Sequence, residues 1–200
     1  MPPRYTDEQR EDIRETNRQR LLEEAAKEIA TAGYQRANTN RISKAAGFAS
    51  GTIFNYFPTK KDLILALLDE TAKAHFEAIA SAVQAIEEAD QRLVRFFQVG
   101  FEFVAQNLAP ARVMVNTIYG PDEDLKVHLY QAYLPMFQFV AQEIVALGIE
   151  RDIFRQVDPT EMANLLMNIY LGSASQVNDD GQFLISADPI ADFAKHALRR

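Results

Sequence analysis

"GFASGTIFNYFPTKKDL", residues Gly47 to Leu63, sets Phe48, Phe54, Tyr56 and Phe57 among Ser50, Thr52 and Asn55, with no acid before Asp62. A buried helix has no use for hydroxyls and an amide beside its aromatics, because every buried polar group needs a partner. A surface that meets another molecule does. The residues before it, Thr39 to Ala46, read as a short helix that Asn38 or Thr39 can cap. Gly47 closes that helix by supplying the positive φ of a tight turn. A second short helix is predicted from about Ser50 to Tyr56, stopped at Phe57-Pro58 because the residue before proline is pushed out of helical angles. Helix, glycine turn, helix is the order of a helix-turn-helix, whose second member lies in the major groove of DNA. Ile42, Ala45 and Ala46 are expected to face inward from the first member, and Ile53 and Phe57 from the second, with Phe54 read as core. Ser50, Thr52, Asn55 and Tyr56 are left to share the outer face.

The charge distribution agrees with this reading where the total does not. The 200 residues carry a formal net charge of −7. Residues 1–64 nevertheless hold eleven Lys and Arg against nine Asp and Glu, and the remainder holds ten against nineteen. Between Arg36 and Lys61 stand five bases and no acid. A local field of that sign is what a phosphate backbone meets. An apolar fraction of 48% with 24% charged residues describes a globular chain rather than a disordered one. Cys is absent, which excludes disulfides, thiolate metal sites and cysteine nucleophiles. The N-terminus is charged throughout and predicts no signal peptide, and no apolar run is read as long enough to span a bilayer. A soluble, cytoplasmic chain with no membrane partner is expected.

Helical spacing continues on both sides of the motif. Leu21, Leu22, Ala25, Ala26, Ile29 and Ala30 recur at helical period from Asn17 to Ala32, and Gly33 ends that helix. Thr59 is placed to cap a long helix from Lys60, whose run Leu63 to Leu68 is apolar almost all round and so predicts burial on more than one side. Further helices are predicted near 70–88, 90–108, 111–118, 122–147, 159–177 and 188–199. Pro110, Pro121, Pro159 and Pro189 fall near boundaries. Pro135 lies inside a periodic stretch and predicts a kink. "QVNDDGQF", residues 176–183, reads as the loop before the last helix. The fold class is all-α, divided into residues 1–64 and 65–200.

"RISKAAGFASGTIFNYFPTKKDL", with "RLLEEAAKEIATAGYQRAN" before it, resembles the DNA-binding domain of the TetR/AcrR family of transcriptional regulators over about the first third of the chain. The resemblance implies a three-helix helix-turn-helix domain followed by a helical ligand-binding and dimerisation domain. It further implies a homodimer on a palindromic operator of double-stranded DNA, released by a small molecule. Position by position, Asn38 falls at the cap of the family's second helix, Thr39 at a frequent phosphate contact and Asn40 at a site that can read a base. Ser50 and Gly51 match the start of the recognition helix. Thr52, Phe54, Tyr56 and Lys60 match phosphate-contact positions. Asn55 faces the groove, where an amide can hold adenine in two hydrogen bonds. Ala49 replaces the family's usual serine cap, and Phe54 replaces a tyrosine whose hydroxyl reaches phosphate; Tyr56 is the residue that can take over that contact.

The same resemblance places an effector pocket among the aromatic and Met-rich stretches of the larger domain. Phe97, Phe101, Met114 and Tyr119 are candidates to line it, with Tyr133, Phe137 and Tyr170, and an apolar or amphipathic small molecule is the expected ligand. It also places a dimer interface on the last two helices, with Leu165, Leu166, Ile169 and Tyr170 apolar and Gly172 and Ser173 permitting close approach. No enzyme is read: His75, His128 and His196 are scattered, and neither a phosphate loop nor a serine elbow is present. No metal or cofactor is expected. The chain is read as a ligand-responsive repressor. A constitutive DNA-binding protein without a ligand, and a small-molecule-binding protein that has lost specific DNA binding, are the alternatives.

Overall fold

The computed structural model describes residues 6–178 and 182–200. The chain divides into two compact units, residues 1–68 and 69–200, the division falling inside one helix. Among the described residues there is no β-strand, only the isolated bridges Phe154–Arg199 and Val177–Phe183.

The first unit opens with α1 (Asp7–Ala32), started by a reciprocal cap in which the Thr6 hydroxyl accepts from the Gln9 amide and the Gln9 side chain accepts from Thr6. Leu21, Leu22, Ala25, Ala26 and Ile29 are its buried stripe, and Gly33, at φ 76°, ends it. A 3₁₀ turn (Tyr34–Arg36) leads to α2 (Thr39–Ala45), which packs on α1. The predicted second short helix is instead a turn followed by a single 3₁₀ turn, Thr52–Asn55. Gly51, at φ 86°, stands immediately before it, and no side chain caps it.

α3 (Lys60–Gln84) is one continuous helix where two were expected. Asp69 is exposed and Glu70 partly covered, while Leu63, Ile64, Leu67 and Leu68 are buried. Thr59 caps it: its hydroxyl accepts from the Asp62 amide at 3.1 Å, and the Asp62 carboxylate accepts from the Thr59 amide at 2.9 Å.

In the second unit α4 (Ala89–Gln106), α5 (Leu108–Ile118), α6 (Glu123–Phe139), α8 (Pro159–Ala174) and α9 (Ala187–Leu198) build a bundle. α4 packs most extensively on α9 and also on α8. α6 continues through Pro135 into a π-helical segment (Val140–Ala146) and a last turn, α7 (Leu147–Glu150). Arg92 reaches the widened segment, its guanidinium donating to the Glu143 carbonyl at 2.9 Å. By length and a mean hydropathy of 1.3, the stretch Glu123–Glu150 could cross a membrane, contrary to expectation. Leu129, Tyr133, Met136, Val140, Ile144 and Val145 of this stretch are buried, whereas Val127, Tyr130 and Leu134 are exposed. The predicted loop 176–183 lies partly outside the described residues.

Candidate nucleic-acid interface and cavity

In the first unit the turn between α2 and the 3₁₀ turn is held by backbone. The Phe48 amide donates to the Ser43 carbonyl at 2.8 Å and the Gly47 amide to the Lys44 carbonyl at 3.0 Å, with Gly47 at φ 83°. Asn38 caps α2, its side-chain oxygen accepting from the amides of Asn40 (2.9 Å) and Arg41 (3.3 Å). Glu28 on α1 accepts from the Asn38 amide at 3.1 Å and pairs with Arg41 at 3.3 Å, so it fixes the entry to α2 while offsetting one of its bases.

Ile42, Ala46, Ile53 and Phe57 are buried as expected. Ala45 is exposed, and Ser43 takes the inward place beside Ile42. Phe54 is 46% exposed rather than core. A 3₁₀ turn has three residues per turn, so with Ile53 inward and the chain re-entering the core at Phe57, the side chain of Phe54 is left on the outside. The exposed set on this side is Asn40, Lys44, Ala45, Ser50, Phe54 and Asn55, with Thr39, Gly51, Thr52 and Tyr56 partly covered. Lys60 is also partly covered: its ammonium donates to the Gln35 carbonyl at 2.9 Å and lies 5.2 Å from the centre of the Tyr34 ring. The structure therefore leaves amides, hydroxyls and an aromatic exposed along one acid-free stretch of the chain. Lys44 and Ala45 belong to it as well, and their places at the open end of α2 were the signal for them.

In the second unit a cavity of about 260 Å³ lies between α5, α6 and α8. Of the residues expected to line a pocket, Met114, Tyr133 and Phe137 do so. Phe97, Phe101 and Tyr170 are packed in the core, and Tyr119 is 71% exposed at the end of α5. Reading aromatics by type could not separate the wall of a cavity from the packing behind it. The wall also has Ile118, Leu129, Tyr130 and Leu171, and a polar edge of Lys126, Asn164 and Asn168. Lys126 pairs with Glu123 at 2.7 Å. The Asn164 and Asn168 amides donate to carbonyls one turn earlier, at 2.9 and 2.8 Å, which leaves their side-chain oxygens to accept. That amide pair, four residues apart on an otherwise apolar helix, was the legible sign of a polar edge.

Of the residues expected at a dimer interface, Leu165 is 53% exposed, and Ile169, Gly172 and Ser173 are half-buried. Leu166 and Tyr170 are buried within the unit and are corrected to core: their side of α8 faces the bundle. On α9 Phe193 is 63% exposed.

Residues 21–67 match the family model of bacterial regulatory proteins of the tetR family. The fatty acid metabolism regulator protein of Bacillus subtilis is 30% identical over 91 residues, 44% of this chain and 47% of that one, so the chain spans about half the length of the first curated relatives it matches. Two solved structures share the fold over nearly the whole chain. The regulator FadR of Bacillus subtilis, in complex with stearoyl-CoA, superposes with a TM-score of 0.78 at 19% identity over 90% of this chain and 97% of that one. AibR, in complex with isovaleryl coenzyme A and operator DNA, gives 0.73 at 19% identity over 92% and 98%. Residues 21–67 thus match the helix-turn-helix domain of the tetR family of regulators, and the chain as a whole shares the all-α fold of these structures.

Proposed function

We propose that the protein is a ligand-responsive DNA-binding transcriptional regulator, not an enzyme. It acts as a repressor on a palindromic operator, in the cytoplasm and without a membrane partner. The observation that carries this is the acid-free surface of residues 38–60, built on a tetR-type domain and joined in one chain to a helical unit with an apolar cavity. Ser50, Gly51, Asn55 and Asn40 are assigned to base edges. Thr39, Thr52, Tyr56 and Lys60 are assigned to phosphates, with Asn38 fixing the entry to α2. Two copies pair through Leu165, Ile169, Gly172 and Ser173 of α8 with Phe193 of α9, so that two half-sites are read about one helical turn or more apart.

The effector is an apolar or amphipathic small molecule held between α5, α6 and α8. The related structures with coenzyme A thioesters support that class. An effector that favours one arrangement of the dimer shifts the population away from the DNA-competent one, a coupling of typically about 1–3 kcal/mol. Selection of duplexes from a random pool at physiological salt tests the reading. One palindrome is the expected result, and recovery of no consensus would overturn it.

A further inference from the structure

Behind the cavity wall a row of polar groups runs through the second unit. His75 of α3 is fully buried and stacked on Phe103, ring centres 4.4 Å apart and planes 8° apart. Its Nδ1 lies 3.0 Å from the Tyr133 hydroxyl and its Nε2 2.9 Å from the Tyr170 hydroxyl. The Tyr170 hydroxyl also lies 2.9 Å from the Gly100 carbonyl, and the Tyr133 hydroxyl 2.6 Å from Met114 Sδ. The row therefore has four contacts: sulfur, Tyr133, His75, Tyr170, carbonyl.

Each contact needs one proton to be a hydrogen bond. The carbonyl and the thioether bring none, each tyrosine brings one, and a neutral imidazole brings one. Burial without a neighbouring carboxylate keeps the ring neutral, pulling its pKa down to about 3. Three protons serve four contacts. Tyr170 donates to Gly100 and Nε2–H to Tyr170, which leaves the one Tyr133 proton for two contacts. The Tyr133 hydroxyl donates it to Met114 Sδ, a weak acceptor at the wall of the cavity, so Nδ1 lacks a proton unless the sulfur is displaced.

We infer that Tyr133 is the polar anchor of the effector site, accepting a hydrogen bond from an uncharged donor group, a hydroxyl or amide N–H, that displaces the Met114 sulfur. Such a ligand supplies the fourth proton and completes the row to Gly100. The unbranched thioether of Met114 can turn aside to admit it. The cavity volume, at about 30 Å³ for each water-sized group, takes an apolar body of roughly nine non-hydrogen atoms. No carboxylate lines the cavity among the described residues, so a cationic donor would lie unpaired in an apolar site. This inference rests on the ligand-responsive reading and names the chemistry of its ligand.

The isomers 1-nonanol and 1-methoxyoctane share one formula, and only the alcohol donates. Calorimetric titration of both into the full-length protein and its Tyr133→Phe variant reads the anchor directly. The preference for the alcohol over the ether is expected to fall about three- to tenfold in the variant. An unchanged preference, with both isomers still bound, overturns the anchor and leaves the cavity as a ligand site. Failure of either isomer to bind wild-type protein that still selects a DNA palindrome overturns the ligand reading itself. Should the variant not fold, the ¹⁵N spectrum of His75 in the wild-type complex with 1-nonanol decides: a neutral ring protonated on Nε2 is expected, and protonation on Nδ1 overturns the proposal.

Discussion

Three glycines show how a missing Cβ serves different ends at the scale of one residue. Gly51 sits at φ 86° with open space around it, so its need is conformational. Gly51→Ala is expected to destabilise the first unit by about 1–2 kcal/mol, read as a lower urea midpoint. Gly100 is helical, and a Cβ there would lie 2.6 Å from the Tyr170 ring, which its hydroxyl bonds hold in place. Gly100→Ala is expected to cost about 1–3 kcal/mol through forced repacking. Gly172, with nothing within 4 Å in the single chain, is expected to behave oppositely: alanine there stabilises α8 by about 0.5–1 kcal/mol in a protein dilute enough to be monomeric. Thermal melts of the two helical variants side by side check the contrast. In DNA binding, Asn55→Ala should relax sequence preference, whereas Lys60→Ala should weaken every sequence alike and lower the salt slope by about 1. Equal, sequence-independent losses in a binding isotherm series would reverse those two assignments.

At the scale of elements, the caps carry much of the local specification. Asn38 satisfies two amides at the start of α2, and Asn38→Ala is expected to cost about 1 kcal/mol, measured by chemical denaturation. Most of the helical order was legible because Gly33, Gly47, Pro58 and Pro159 break the chain by backbone sterics alone, which needs no tertiary knowledge. What was not legible depended on which side of an element met the core. The helix from Lys60 and the one expected near 70–88 are a single helix, α3, since no glycine or proline separates them. Ala45, expected inward, is exposed, and Ser43 is buried beside Ile42, because α2 is only two turns long and its rotation is set by its packing on α1. Tyr170 and Tyr133 are the same residue type, yet one is packed in the core and the other borders a cavity. Composition gives both the same weight, and only packing separates them.

For the whole molecule, the buried His75 ties stability to acidity. Its pKa falls from about 6.5 to about 3 on folding because burial disfavours the charged ring. The unfolded chain therefore binds the proton first, so this stability is present above pH 6.5 and is lost as the pH falls towards 3. Between pH 7 and pH 5 the loss is expected to be about 2 kcal/mol from this group, and a His75→Gln variant should show a correspondingly shallower pH dependence in urea titrations.

The charge imbalance between the two parts of the chain has a kinetic consequence. A polyanion attracts residues 1–64, where bases exceed acids, and repels the remainder, where acids outnumber bases nearly two to one. Under the proposed DNA-binding role, approach by the basic part is favoured over approach by the acidic part. Added salt weakens both the attraction and the repulsion, so it both slows capture and makes it less selective in orientation. The association rate, more than the residence time, becomes the quantity that reports ionic conditions.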